Sequence, residues 1–255
     1  MTKHICILDF TNGADRLSLS ELYGHVEVAV SQTDTEGALA LLNGLITGPG
    51  KDSVTLKAED IVIADRDRVL AEIYKFAYGP KIRSTVTCNA CSSHFDLDFD
   101  LNDLQDFTLQ NINEAAIEKL GDNEFKAANG SIFRLPTGQD ELEVAGWPAE
   151  EASQKLLQRC IIGNLPEADI EIVETGMESI APLLDTDLAA HCPECANEQQ
   201  VHFSIQSFLL ARLMQEQPVV IKEIQTVASY YGWGYNEILN LPRSLRRKFA
   251  NMIDS

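Results

Sequence analysis

Hydrophobic positions along this chain repeat in two ways, at helical spacing in some stretches and in strict alternation in others. Leu19, Leu22, Val26 and Val28 lead into a run from Thr35 to Leu45 that places Leu39, Leu42 and Ile46 on one side, as a helix does. Thr47-Gly48-Pro49-Gly50-Lys51-Asp52 reads as a loop, and Val54-Thr55-Leu56 as a short strand. Ala58-Glu59-Asp60 opens a helix that runs to Tyr78, with Ile63, Val69, Leu70, Ile73 and Phe76 as its stripe. Gly79-Pro80 stops that helix, because neither residue continues one.

Beyond residue 105 the pattern predicts helices at Asn113–Leu120, at Ala149–Ile162 and at Ile170–Leu184, and a strand at Ser131–Leu135. Thr137 and Asp140 suit the cap of a short helix after the Pro136-Thr137-Gly138 turn. In the helix from Ala149, the residues expected to face inward are Ala152, Leu156, Leu157, Cys160 and Ile161. The tail reads as helical from Phe208 to a break at Pro218, then along Val220, Ile224, Val227 and Tyr231. A turn at Gly232–Tyr235 follows, with Asn236 as cap of the next short helix. Pro242 opens a last helix with Leu245, Phe249 and Met252 apolar and Arg243, Arg246, Arg247 and Lys248 basic. Those four cations are read either as the solvated face of a helical cap or as a docking element for an acidic or helical partner.

Length and charge narrow the classes. At 255 residues the chain can bury a substantial core as one large or two small domains. No apolar run approaches the ~20 residues of a membrane span. The apolar start from Ile5 is broken at Asp9, which predicts a short strand rather than a signal peptide. The net charge of −19 opposes phosphate-backbone binding, which depends on a basic footprint. Asp96, Asp98, Asp100, Asp103 and Asp106 alternate with Leu97, Phe99, Leu101 and Leu104, so one face is apolar and the other acidic. Nothing in that stretch has the loop spacing of an EF-hand calcium site.

The six cysteines carry the candidate chemistry. Cys88-Asn89-Ala90-Cys91 and Cys192-Pro193-Glu194-Cys195 each lie between extended segments, the pattern of a zinc knuckle. Two such turns offer four thiolates at about 2.3 Å from one ion, a closed tetrahedral shell with no position for water or substrate. The 100 residues between Cys91 and Cys192 exceed the roughly 15–20 of a compact zinc ribbon, so the site would be split across an insertion. Two independent reduced pairs and two small disulfides are the alternatives. A redox motif fits less well, since that chemistry sets its first cysteine at a helix N-terminus. His94, His191 and His202 lie near enough in sequence to serve as substitute ligands, while Cys6 and Cys160 sit on apolar segments as core residues. After each knuckle come small polar residues, an alternating strand and an apolar helix start. That echo reads as a duplication or as the common grammar of knuckles.

No Gly-x-Ser-x-Gly elbow, phosphate-binding glycine loop, His-Glu-x-x-His or dinucleotide fingerprint is present, which predicts a protein that is not an enzyme. Several segments in order resemble the T-even-type phage baseplate hub assembly chaperone family. They are Leu19–Gly24, Ala64–Tyr74, Tyr78–Ile82, Phe95–Phe99, Phe133–Gly138, Tyr230–Trp233 and Glu237–Leu239. The resemblance implies a non-enzymatic structural or assembly role in the tail baseplate of a phage or phage-like injection machine. Its partners would be other baseplate or tail hub proteins, met in the cytoplasm of the bacterial host or in the virion tail.

The expected fold class is α+β, a mostly helical chain with two Cys-x-x-Cys β-hairpins forming one split zinc-ribbon-like site. The expected organisation is an N-terminal α/β part over 1–105, an inserted mainly helical segment over 106–185, and the second knuckle with C-terminal helices over 186–255. The expected metal set is Cys88, Cys91, Cys192 and Cys195 holding a structural Zn2+, and the expected interface is Arg243, Arg246, Arg247 and Lys248. The alternative function is a zinc-ribbon regulatory or nucleic-acid-associated module.

Overall fold

The structure, a computed structural model, describes residues 3–48, 56–110, 112, 117–163, 166 and 169–253. In chain order the elements begin with β1 (Lys3–Ile7), β2 (Arg16–Ser20), α1 (Gly24–Ala29), α2 (Thr35–Leu45) and α3 (Ile63–Tyr78). Next come β3 (Lys81–Thr87), β4 (His94–Asp100), α4 (Leu101–Gln110), β5 (Ile117–Gly121), β6 (Glu124–Ala127) and β7 (Ile132–Phe133). Then follow α5 (Gly138–Val144), α6 (Ala149–Cys160), β8 (Ile161–Ile162), α7 (Ile170–Ile180), β9 (Asp185–His191) and β10 (Glu198–Ser204). The chain closes with α8 (Ile205–Tyr231), α9 (Tyr235–Leu239) and α10 (Arg243–Ile253). Every strand pairing within these sheets is antiparallel and helices carry much of the rest, so the class is α+β.

The chain divides into two compact units: Met1–Asp9, Gly13–Ile61 and Gln206–Ser255 form the first, and Phe10–Asn12 with Val62–Ile205 the second. These units do not coincide with the segments 1–105, 106–185 and 186–255. Both cysteine hairpins and everything between them fall in the second unit.

In the first unit β1 and β2 pair antiparallel, and α2 starts where Asp34 accepts the Gly37 N–H at 3.0 Å. Leu39 and Leu42 of the expected stripe are buried, joined by Leu41 and Leu45, while Ile46 caps the helix and is half-buried. Of the expected strand at Val54-Thr55-Leu56, the first two residues lie outside the described ones and Leu56 is not in a strand. The expected break at Pro218 does not occur, since α8 runs through it. Pro218 lacks the N–H for a bond four residues back, a loss of about 3 kcal/mol. Leu209, Leu210, Leu213, Val220, Ile224 and Val227 flank it on the buried face. Burying each contributes roughly 1.5–3 kcal/mol, so the face outweighs the break. Gln217 uses the same turn to donate to the Val30 carbonyl at 2.6 Å, just past α1.

The α10 expectation is corrected in its orientation. Arg243 and Arg246 point inward and are 4% and 0% exposed, while Leu245 and Met252 face outward. The cause is a set of buried carboxylates. Glu27 of α1 is 1% exposed and pairs with Arg243 and with Arg246, the latter at 2.5 Å. Arg246 also donates to Glu223 at 2.8 Å, Arg243 to Glu216, and half-buried Arg247 to Glu216 at 3.1 Å. Arg212 also approaches Glu216 at 3.3 Å, so each buried ion of this cluster has an opposite charge beside it, the condition under which ions tolerate burial. Gly24 makes room: a Cβ there would lie 2.8 Å from Arg246 Nη1. The cap of α9 is also displaced, because Gly234 rather than Asn236 precedes it and donates its N–H to Glu237.

The second unit holds the four-stranded sheet β5-β6-β7-β8 and the separate hairpins β3–β4 and β9–β10. The expected helix at Asn113–Leu120 is corrected over its described part, which is strand β5; residues 113–116 lie outside the described ones. Gly121-Asp122-Asn123 turns β5 into β6, a hairpin signal that overrode the helical spacing. The segment expected to be mainly helical therefore also carries a sheet. Ala58–Asp60 forms a separate 3-10 turn, and α3 begins at Ile63. Phe76, expected on the α3 stripe, is 58% exposed. Gly79, at φ +83°, ends α3 as expected, since that backbone suits glycine. The Thr137 cap is present: Asp140 accepts from the Thr137 N–H and hydroxyl, and Arg134 clamps the same carboxylate at 2.6 and 2.8 Å. Phe125, Phe133, Leu135, Val173 and Ile180 form the core between sheet and helices.

The ion-pair cluster yields a ranking. Glu27→Ala leaves Arg243 and Arg246 buried without their shared partner and should cost about 3–5 kcal/mol in urea unfolding. Arg246→Glu, which would be harmless on an exposed face, should abolish folding. Arg247→Ala, at a half-buried position, should cost within about 1 kcal/mol. Equal costs for Glu27→Ala and Arg247→Ala would contradict the assignment of the buried pairs.

Candidate metal centre

The two Cys-x-x-Cys turns are built alike. β3 and β4 pair from Lys81↔Asp100 to Thr87↔His94, and β9 and β10 from Asp185↔Ser204 to His191↔Glu198. At the first tip the Cys88 N–H bonds the Ser93 carbonyl and the Ser92 N–H bonds the Cys88 carbonyl, both at 2.9 Å. At the second, Cys192 with Asn197 and Ala196 with Cys192 repeat the pattern at the same lengths. The residue after each second cysteine has positive φ, 61° at Ser92 and 58° at Ala196. That left-handed turn folds each pair so that both sulfurs emerge on one side.

The likeness extends through both hairpins at a constant offset of 104 residues (192 − 88). Leu101 and Ile205 each begin a helix directly after the second strand, and their N–H groups bond Pro80 and Leu184, one residue before each first strand. Phe99 and Phe203, equivalent under this offset, meet edge to face at 5.0 Å. Asp67 of α3, buried in the same unit, accepts the Leu184 N–H at 3.1 Å and so pins the base of the second hairpin.

The tips bring all four sulfurs together within 4.8 Å of one another. Cys88 approaches Cys195 and Cys91 approaches Cys192 at 3.7 Å, each contact crossing between hairpins. All six cysteines are free thiols, so the disulfide alternative does not describe this state. The sulfur spacing fits a single ion: the edge of a tetrahedron with zinc–sulfur bonds of about 2.3 Å is about 3.8 Å. Cys88 and Cys192 are buried against Phe95 and Ala190, while Cys91 and Cys195 are exposed. A polar clasp also spans the tips. Gln199 accepts the Asn89 N–H at 2.9 Å and donates to the Thr87 carbonyl at 3.1 Å, and Asn197 donates to the Asn89 side chain at 2.7 Å.

The electrostatics also suit a cation. The Ser93 hydroxyl, then its backbone N–H, pull the Cys91 thiol down to about 6. The N–H groups of Cys91 and Ala90 hold Cys88 below the ordinary thiol range. At Cys195 the Asn197 N–H favours the thiolate, but Cys91, burial, Cys88 and Cys192 outweigh it and push the thiol up to about 12. Negative charge thus accumulates until the crowded sulfurs resist more, and a divalent cation is what relieves that resistance.

The three nearby histidines are not in this cluster. His94 contacts Thr87 at 3.0 Å, His191 contacts Glu198 at 2.9 Å, and His202 lies 3.2 Å from both Asp185 and Asp187. Cys6 and Cys160 are buried, as expected. Two residues of the acidic stripe stand opposite cations across their hairpin, Asp98 opposite Arg83 and Asp100 opposite Lys81. Sequence reasoning missed the clasp residues Asn89, Asn197 and Gln199. The matched positions Ser92 and Ala196 were visible as a shared offset from each second cysteine.

Hairpins, helices and tetra-thiol cluster together define an α+β protein organised in its second unit around a candidate metal centre, with a repeated strand–turn–strand–helix module. A family model described as T4 bacteriophage base plate protein matches residues 33–210, and the chain belongs to that family. No curated protein and no solved structure matches it. The family is one of phage tail baseplate proteins, which agrees with the resemblance carried by the sequence segments. No helix among the described residues is long and apolar enough to cross a membrane.

Two measurements probe how the centre is positioned. Burial, opposed by the neighbouring Arg66, pushes the Asp67 carboxyl up to about 7 from 3.8. The folded chain therefore keeps that proton where the unfolded chain releases it, and stability falls as pH rises from about 4 to about 7. Asp67→Asn should stabilise the protein at pH 7 by roughly 1–4 kcal/mol, with the advantage gone near pH 4. An unchanged difference across that range would remove Asp67 as the titrating group. Independently, Ala196→Gly relieves a left-handed backbone and should raise stability by about 0.5–1 kcal/mol in thermal unfolding, where a drop would count against strain at the tip.

Proposed function

We propose that this chain is a non-enzymatic structural or assembly protein of a phage-type tail baseplate hub whose second unit is stabilised by one structural zinc ion. Convergence of four sulfurs from turns a hundred residues apart carries the reading. Cys88, Cys91, Cys192 and Cys195 would hold the ion, which supplies a cross-link and no open coordination position. Four protein ligands leave nothing for substrate, and this supports a role without catalysis.

The partners are other baseplate or hub proteins, met in the bacterial host during assembly. The charge of −19 supports protein partners over nucleic acid and weighs against the regulatory zinc-ribbon alternative. Of the basic residues first offered as an interface, Lys248 is exposed, Arg247 is half-buried and paired with Glu216 and Glu223, and Arg243 and Arg246 are held inside.

Elemental analysis of the reduced, purified chain should find one zinc per chain. None, or two, would defeat the shared site. Cys192→Ser should lower the melting temperature and speed hydrogen exchange in both hairpins, since closing the site is coupled to folding. Exchange that changes only across β9–β10 would show independent pairs. Co-purification with hub proteins tests the assembly role separately, and failure to associate with any of them would exclude it.

A further inference from the structure

The second unit contains a cleft of 510 Å³ at the foot of its second hairpin. Its floor is core: Val62, Ala64, Leu135 and Ala181 are all buried. Its walls come from helices, with Leu156 of α6 and Met177 of α7 half-buried along it. At its edges Phe107 of α4 and Leu183 are 64% and 40% exposed, an unusual degree for large apolar side chains beside an apolar cavity. The charged residues lining it are Glu141, Glu178 and Asp185, all carboxylates, with no lysine or arginine among them. Glu141 pairs with Arg66 and Asp185 with His202, while Glu178 is exposed. The cleft is thus apolar inside, with the carboxylates of Glu178 and Asp185 as the uncompensated negative charge at its rim.

We propose that this cleft seats a short amphipathic helix of a partner protein, with aliphatic side chains as anchors and lysine or arginine on its flanks. Helical walls around an apolar trough are the geometry of helix-in-groove recognition, in which residues at i, i+4 and i+7 enter together. The rim carboxylates select the flanking charge and speed encounter. Phe107 and Leu183 close over the seated helix and lose their exposure. The inference extends the assembly role to a particular surface and does not depend on the identity of the metal.

The test uses the full, metal-loaded chain and a fluorescent leucine/lysine peptide of about 14 residues with leucines on one helical face. A leucine/glutamate peptide with the same leucine positions serves as control, both read by anisotropy at about 0.15 M salt. The lysine peptide should bind at least about tenfold more tightly than the glutamate peptide. Phe107→Ser combined with Leu183→Ser should weaken it by a similar factor. Both positions are exposed and the net charge is unchanged, so the melting temperature should hold. Equal binding of the two peptides would overturn the charge selection. Full binding by the double variant would reduce the effect to general attraction by an acidic chain and overturn the site. Sedimentation that shows a dimer of the wild type lost in the double variant would make a second copy the occupant and overturn the partner helix. Because no hub protein takes part, a failure here is distinct from a failure of the hub role.

Discussion

The meeting of two hairpin tips is the constraint on which the metal centre of the second unit depends. Bringing together points separated by a hundred residues costs loop entropy that grows as the logarithm of the length, and crowding four sulfurs adds electrostatic resistance to ionisation. The apolar cluster of Phe95, Ala190, Val86, Leu97 and Val201 packs behind the sulfurs. The clasp of Asn89, Asn197 and Gln199 aligns the tips, and Asp67 fixes the base of one hairpin. A cation held by the four thiolates, as proposed above, would supply the cross-link between the tips. The intervening chain then forms its own core, so the insertion is a folded body rather than a slack loop.

The first unit solves a different problem by similar means. Two arginines of α10 are taken out of water, and the carboxylates that neutralise them come from α1 and α8. Partners far apart in sequence make the arrangement specific: α10 cannot shift by a residue without leaving an ion unpaired. The close approach of Arg246 to Gly24 excludes any side chain there. Stability and register are thus tied to the same few groups.

Local chemistry was legible where it acted locally. The cysteine pairs, the Gly79-Pro80 stop, the Thr137 cap and the α2 stripe each depend on residues within a few positions, and each was readable. The meeting of the two knuckles was legible because two Cys-x-x-Cys turns between strands together offer the four thiolates of one tetrahedral site. What escaped depends on distant partners. The arginines of α10 looked like a polar face because the glutamates that draw them inward lie up to 219 residues away. Pro218 looked like a stop because the stripe on both sides of it could not be weighed against a single missing bond. Strand β5 was misread because its helical spacing was a coincidence that only pairing with β6 could exclude. The cleft has no signature at all, being assembled from the sides of separate helices.

The offset of 104 residues relates the two hairpins reciprocally: it exchanges the Cys88–Cys195 and Cys91–Cys192 contacts with each other, and Phe99 meets its own equivalent, Phe203. Such symmetry is that of a dimer interface held within one polypeptide. In a dimer, formation of the centre would depend on how much protein the cell had made. With both halves tethered, their effective concentration is set by the chain itself, so the centre closes equally well at the first molecule translated and at the thousandth. Its stoichiometry is then fixed before any assembly begins.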